Sequence, residues 1–373
     1  MYHFSAMGLT LPQGGPGRSH LDRRCGQPVS AGGGSPRLDR VTVTPDLPAL
    51  LEAAHVVTLP MRVRFRGVSE REAVLLRGPR GWAEWAPFVE YDDADAARWL
   101  AAAVEAGWGE LPPPVRDAVG VNATVPAVPP DQVQGVLARY DVSRTAKVKV
   151  AEKGQALADD VARVTEVRRV LGPDARIRVD ANGAWSVDEA VEALRALAPL
   201  GLEYAEQPCA TVEELAALRV ALARAGAEVP VAADESVRRA EDPLRVARER
   251  AADLVVVKVA PLGGVARALE VVEACGLPAV VSSALDTSVG LAVGVRLAAA
   301  LPRLEHDCGL GTAALLRADV VADPLLPVGG ELTTARADAA RRATDPASLT
   351  AYRSSAERER WWRERLARAH ALV

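Results

Sequence analysis

From about residue 120 the chain alternates between two patterns. Short runs of Val, Ile and Ala read as strands, and longer stretches with apolar positions every three to four residues read as helices. The runs fall at 121–125, 145–150, 177–180, 202–206, 229–233, 254–259 and 279–283, and Leu304-Glu305-His306-Asp307 reads as an eighth. Helical spacing fills the intervals near 131–140, 156–171, 187–198, after Thr211, 242–251, 264–275 and 288–300. Two helices open on a capping box, Ser186 with Glu189 and Thr211 with Glu214. Eight strands alternating with seven or eight helices predict an α/β fold, a β/α barrel rather than an open sheet. No Gly-x-Gly-x-x-Gly follows the first strand, which argues against a dinucleotide-binding sheet.

Either side of this repeat the pattern changes. Residues 41–118 carry strand-like runs at 56–59, 63–65, 72–77 and 82–85, a Gly78-Pro79-Arg80-Gly81 turn and a helical stretch at 93–105, so a small α+β unit is expected. The repeat itself spans 119–311, and residues 312–343 are expected to return to the N-terminal unit. Residues 1–40 are rich in Gly, Pro, Ser and Arg without periodicity, the composition of a disordered extension. Residues 344–373 have the spacing of an Arg-rich amphipathic helix, read as a solvated or partner-packing tail.

Composition narrows the function. Of 373 residues 25% are charged and the net charge is −4, which gives no basis for binding nucleic acid or an anionic membrane. No run of about 20 uncharged apolar residues is present, so no membrane span is expected. Cys25, Cys209, Cys275 and Cys308 lie far apart with no Cys-x-x-Cys, as free thiols in a reducing compartment would. A cytoplasmic enzyme acting on a small molecule is the expectation.

The chemistry gathers at the strand ends. Lys149, Asp180, Glu206, Asp234 and Lys258 close five consecutive strands, with steps of 31, 26, 28 and 24 residues. Each step is about one strand, one helix and two short loops. Parallel strands are buried on both faces, so charges there must be paired or bound to metal. Asp180, Glu206 and Asp234, with no His or Cys nearby, form the ligand set of a hard divalent ion, Mg²⁺ or in its place Mn²⁺. Lys147 and Lys149 are two apart and share the inward face. Lys258, from a strand further round, faces the metal from the other side. A buried lysine can act as general base. Metal and lysine together suit removal of a proton next to a carboxylate.

These residues resemble the enolase superfamily in its muconate-lactonising-type subgroup, whose sites pair a Lys or His base with Mg²⁺. The resemblance rests on Lys147-x-Lys149, Asp180-Ala181-Asn182, Glu206-Gln207-Pro208, Asp234-Glu235-Ser236 and Lys258, and covers roughly residues 55–335. Segments 62–67, 81–88, 121–126, 147–152 and 282–288 are most similar to the o-succinylbenzoate synthase family. The resemblance implies a (β/α)7β TIM-like barrel under an α+β capping domain built from both chain ends. It implies a Mg²⁺-dependent hydro-lyase of menaquinone biosynthesis, with Lys149 as base and then acid, Lys258 as a fixed cation and Lys147 tuning Lys149. Asn182 and Glu235 would support the metal ligands, and Ser282 and Ser283 would meet the succinyl end of the substrate. Arg62, Arg64 and Arg66 lie in the covering segment and read mostly as surface arginines.

The same residues would also serve an N-succinylamino acid racemase or a dipeptide epimerase, with Lys149 and Lys258 as two bases. A Schiff-base aldolase would use one lysine as nucleophile and ignore EDTA. A catalytically silent barrel would bind without turnover. His306 reads as structural and Cys209 as packing, and Trp82 and Trp85 read as core of the N-terminal unit.

Overall fold

The computed structural model describes residues 44–65, 67–238 and 243–373. The expected disorder of residues 1–40 lies outside the described residues, as do Cys25 and Arg66.

Strands β1 (Ala54–Phe65), β2 (Val68–Gly78) and β3 (Gly81–Trp85) form an antiparallel sheet in that order. Segments 56–59 and 63–65 are one strand, with its register broken between Pro60 and Phe65. Pro60 has no N–H to donate, which is why the sequence reads as two pieces. Helix Asp93–Trp108 covers the sheet with Trp99 and Leu100 buried, and the Asp92 side chain caps it by accepting from Asp95 N at 2.7 Å.

A short strand, β4 (Ala118–Gly120), leads into the barrel. The parallel strands are β5 (Ala123–Val125), β6 (Thr145–Lys149), β7 (Arg176–Asp180), β8 (Leu202–Glu206), β9 (Val231–Ala233), β10 (Leu254–Val257) and β11 (Ala279–Val281). They neighbour one another in sequence order, β5 to β11, in a seven-stranded sheet. The residues between consecutive strands are mostly helical. Ser186 and Thr211 cap their helices by the reciprocal bonds expected of them.

The eighth position of the ring corrects the sequence reading. Residues 304–307 form no strand, and Leu304 to Asp307 are exposed or half-buried. The closing contacts come just after, from parallel bridges of Cys308 to Val121 and of Gly309 to Ser282. Gly309 is required there, since a Cβ would stand 2.5 Å from Ser282 Oγ. Around this ring β6 and β10 lie four positions apart, on opposite sides. Two helix expectations also shift. The stretch 242–251 holds only the turn Arg245–Arg248 among the described residues, and the end of the 254–259 run is the helical turn Val259–Leu262.

After the barrel, β12 (Glu331–Thr333) pairs antiparallel with β4, and helix Thr334–Arg342 brings the Arg341 guanidinium onto the carbonyls of Trp82 and Ala106. The last helix, Ala356–His370, is no solvated tail. Trp362, Arg365, Leu366 and Ala369 are buried on it. Arg358 grips Glu72 through two bonds of 2.7 and 2.6 Å, and Arg363 donates to Leu51 O and Ala54 O. Trp362 meets Trp85 edge-on at 5.4 Å. No helix among the described residues is long and apolar enough to cross a membrane.

Candidate active site

Strand register puts the charged ends side by side. Lys149 is opposite Asp180 across β6 and β7, and Asp180 is opposite Glu206 across β7 and β8. Glu206 pairs with Ala232, two residues short of Asp234. Lys258 follows directly on β10. Lys147, Lys149, Asp180, Asn182, Lys258, Ser282 and Ser283 line one pocket, roofed from the N-terminal sheet by Phe65.

Every carboxylate of the set faces a lysine. Lys149 Nζ donates to Asp180 Oδ2 at 2.6 Å and contacts Asn182 Oδ1. Lys147 Nζ lies 2.7 Å from Glu206 Oε1 and 3.1 Å from Asp180 Oδ2. Lys258 pairs with Asp234 Oδ2. Asn182 Nδ2 donates to Glu235 Oε1 at 3.3 Å, so Lys147, Lys149, Asp180, Asn182, Glu206 and Glu235 belong to one network, beside the Lys258–Asp234 pair. The turn that aims Asn182 is left-handed at both Asn182 and Gly183 (φ 49° and 74°), and a Cβ on Gly183 would sit 3.0 Å from Ala210 Cα.

Burial and like charge set the electrostatics. Burial pushes Glu206 up to about 7, reinforced by Asp180 and Asp234 and opposed by Lys147 and Lys258. Burial would also raise Asp180, but Lys149 and Lys147 hold it well below the usual carboxylate range. Burial works to lower Lys147, yet Glu206 and Asp180 outweigh it and keep this lysine firmly protonated.

Ser282 and Ser283 hydroxyls both bond Gly309 O, at 3.4 and 2.9 Å, and Ser283 also meets Thr312 Oγ1 at 2.8 Å. They tie the pocket wall to the ring-closing segment while still facing the pocket. His306 lies off the pocket, with Nδ1 2.8 Å from Glu203 Oε1. Cys209 is fully buried and burial pushes its thiol up to about 12, so it packs and does not react. Trp82 and Trp85 are buried in the core.

The structure adds residues not singled out from sequence. Phe65 lies over Lys149, 5.4 Å from ring centroid to Nζ, and Thr124, Leu285 and Thr312 complete the pocket. Gln207 is fully buried with a positive φ of 38°. Its Oε1 accepts from Asp234 N and Ser236 N, and its Nε2 donates to Ser236 Oγ and Cys209 O. All four bonding positions of the amide are used, locking the end of β8 to the end of β9. A buried glutamine beside a strand-end glutamate was the available signal.

A barrel under an antiparallel sheet, with lysines facing carboxylates across its open end, is the architecture of one enzyme class. The enolase C-terminal domain-like family matches residues 131–338 and the enolase N-terminal domain-like family residues 56–107. The muconate lactonizing enzyme from Pseudomonas fluorescens, complexed with muconolactone, superposes with a TM-score of 0.66 at 23% identity, over 81% of this chain and 98% of that one. The L-Ala-D/L-Glu epimerase from Bacillus subtilis gives 0.63 at 24% identity, over 75% and 94%. At these identities the likeness shows the fold.

Sequence relatives go further. An o-succinylbenzoate synthase of Mycolicibacterium smegmatis is 56% identical over 330 residues, 88% of this chain and 98% of that protein. One of Mycobacterium tuberculosis is 52% identical over 334 residues, 89% and 98%. The chain belongs to the o-succinylbenzoate synthase family of the enolase superfamily. That membership implies a divalent-metal requirement. Among the described residues no group of three or more Asp, Glu, His and Cys side chains is placed so that it could hold a metal ion as it stands. The donor chemistry nevertheless fits a hard cation. Asp180, Glu206 and Asp234 are buried oxygen donors from neighbouring strands, and Glu206 is raised by burial and then by the other two.

Proposed function

We propose that the chain catalyses the Mg²⁺-dependent syn-dehydration of 2-succinyl-6-hydroxy-2,4-cyclohexadiene-1-carboxylate to 2-succinylbenzoate, in menaquinone biosynthesis. The observation that carries this reading is the pair Lys149 and Lys258, from opposite sides of the ring in one pocket beside three carboxylates. Asp180, Glu206 and Asp234 would hold the metal, with Asn182 and Glu235 steadying that end of the pocket. A bound Mg²⁺ supplies Lewis-acid stabilisation of the charge that develops on the substrate carboxylate.

Lys149 and Lys258 take up the proton chemistry. A base needs a free lone pair, so Lys149 acts as the neutral amine, having given up one proton while an N–H can still point to Asp180. Its Nζ then takes the proton from the carbon bearing the carboxylate. The C–H electrons form the new ring double bond as the C–O bond to the 6-hydroxyl breaks. Lys149, now charged, returns the proton to that oxygen on the same face, water leaves, and aromaticity drives the step. Lys258 stays protonated opposite and balances the growing negative charge. Lys147, fixed as a cation by Glu206, disfavours a second positive charge on Lys149. Phe65 excludes water over Lys149. In this reading residues 41–118 and 312–343 form the cap, 119–311 the catalytic barrel, and the helices Pro346–Ala351 and Ala356–His370 within 344–373 belong to the cap.

The test follows the ultraviolet absorbance of the cyclohexadiene with purified protein and Mg²⁺, with and without EDTA. Metal-dependent loss of the diene band is expected. A flat trace would overturn the dehydration, and racemisation of N-succinyl amino acids would then be assayed.

A further inference from the structure

One wall of the pocket is held from the N-terminal sheet. Ser282, Ser283, Ala284 and Leu285, which follow β11, all line the pocket. Leu285 has a φ of 62°. A branched, wholly apolar side chain adopts that left-handed backbone only where its surroundings enforce it. Asn182, on the facing wall, has an amide that can bond its neighbours; Leu285 has none, so the force must come from outside the segment.

It comes from two adjacent strands. Arg71, on β2, donates from Nε to Leu285 O at 3.1 Å and from Nη2 to Ala86 O. It is 3% exposed, and its guanidinium lies over the Phe88 ring, 4.6 Å from the centroid. Glu84, on β3, takes the other end of the segment, where its Oε2 accepts from Thr287 N and Gly290 N. Asp286 Oδ2 accepts from Ala284 N at 3.3 Å. A Cβ on Gly290 would stand 2.8 Å from both Asp286 Cβ and Glu84 Oε2, so the two acids lie against the same glycine. The Arg71 charge offsets both of them. Arg71 itself does not line the pocket. A buried guanidinium that spends its fork on one carbonyl of the sheet and one of the pocket wall ties the two together.

We propose that Arg71 is a positioning residue for the reaction: by holding the Leu285 carbonyl it keeps the wall Ser282–Leu285 in the shape that accepts substrate. The proposal rests on the dehydration reading. The lysines and carboxylates of the site belong to other strands. Loss of the wall's shape therefore weakens substrate and transition state alike, which raises KM and leaves kcat in place.

The test is steady-state kinetics on the diene with Mg²⁺, beside hydrogen exchange of segment 283–288 followed by mass spectrometry. Arg71→Lys keeps the charge beside the two acids but lacks the planar fork, and Arg71→Met lacks both. Each should raise KM about tenfold or more, the scale of a lost charged hydrogen bond, with kcat within about threefold and faster exchange over 283–288. Arg365→Met removes a different buried arginine, one that donates to Phe88 O and Tyr91 O. It should lower Tm but leave KM and that exchange unchanged, whereas a merely structural role for Arg71 would make the variants alike. An unchanged KM in Arg71→Lys, a fall in kcat at constant KM, or an equal rise in KM in Arg365→Met would overturn the proposal. A wild-type chain without turnover would overturn the dehydration reading instead, and unchanged exchange in the Arg71 variants would still count against the positioning.

Discussion

Glu203 and Glu206 stand three residues apart on β8, and their carboxyls are pushed in opposite directions. Glu206 is raised to about 7 by burial and by two neighbouring carboxylates. Burial also works to raise Glu203, but it falls to about 2 because His306 and Arg178 bind it. Around Glu203 the charges close on themselves. Arg178, at 0% exposure, donates to Glu203 at 2.6 Å and to Asp307 O at 2.6 Å, and stacks on Tyr204. Around Glu206 three lysines and three carboxylates are held in contacts that the proposed chemistry would have to break. One cluster is built to stay shut and the other to be rearranged, on the same strands.

The largest expected effects fall on the open cluster. Lys149→Ala should lower kcat by about a thousandfold or more, the scale of a lost general acid–base, with the circular dichroism of the folded state unchanged. Lys258→Ala should lose dehydration as well; dehydration surviving while racemisation dies would make Lys258 a second base instead. Glu206→Gln should abolish turnover yet leave Tm level or higher, since it removes a buried charge crowded by Asp180 and Asp234. The closed cluster should answer the other way. Glu203→Ala leaves Arg178 buried without its acid and should cost on the order of 3 kcal/mol in urea unfolding, while kcat per folded molecule changes little.

Two smaller effects are read against pH. Glu203 is lowered from its ordinary 4.5 to about 2, so its contribution to stability is present above pH 4.5 and is lost as pH falls toward 2. Glu203→Gln should flatten that part of the acid unfolding curve. Glu84 has the opposite sign. Burial and Asp286 raise it from 4.5 to about 8, so its contribution is full below pH 4.5 and is lost as pH rises through 8. Its Oε2 accepts from Thr287 N at 2.9 Å and Gly290 N at 3.2 Å, joining β3 to the helix after β11. Glu84→Gln keeps an acceptor there and should make Tm less sensitive to pH between 5 and 9, the smallest of these changes.

The sequence revealed the open cluster more readily than the closed one, for a physical reason. A charge ending a run of Val, Ile and Ala is conspicuous, and regular spacing ties five such ends to one face. Arg178 sits within its strand and looks like any alternating polar residue until the ring closes round it. Cys308 and Gly309 were passed over for residues 304–307 because two single bridges leave no strand pattern. Strands β4 and β12 stand outside the strand–helix repeat, so no regular spacing marks them. Residues 344–373 read as a solvated or partner-packing tail for the converse reason. An Arg-rich helix looks solvated, but the Arg365 guanidinium is buried and donates to Phe88 O and Tyr91 O. Gln207 was in view inside its motif, but only the fold shows its four bonds.

The grip of helix Ala356–His370 on the N-terminal sheet also sets a schedule for synthesis. Glu72 leaves the ribosome 286 residues ahead of Arg358, its partner across the sheet edge. At ordinary rates of translation that gap lasts about 15–60 s. Throughout it the first sheet to emerge lacks the helix that covers Trp85 and carries the acceptors' donors at Leu51 and Ala54. The barrel strands, each pairing with the next to appear, can assemble as they come, whereas the N-terminal sheet is completed only after helix Ala356–His370 has emerged.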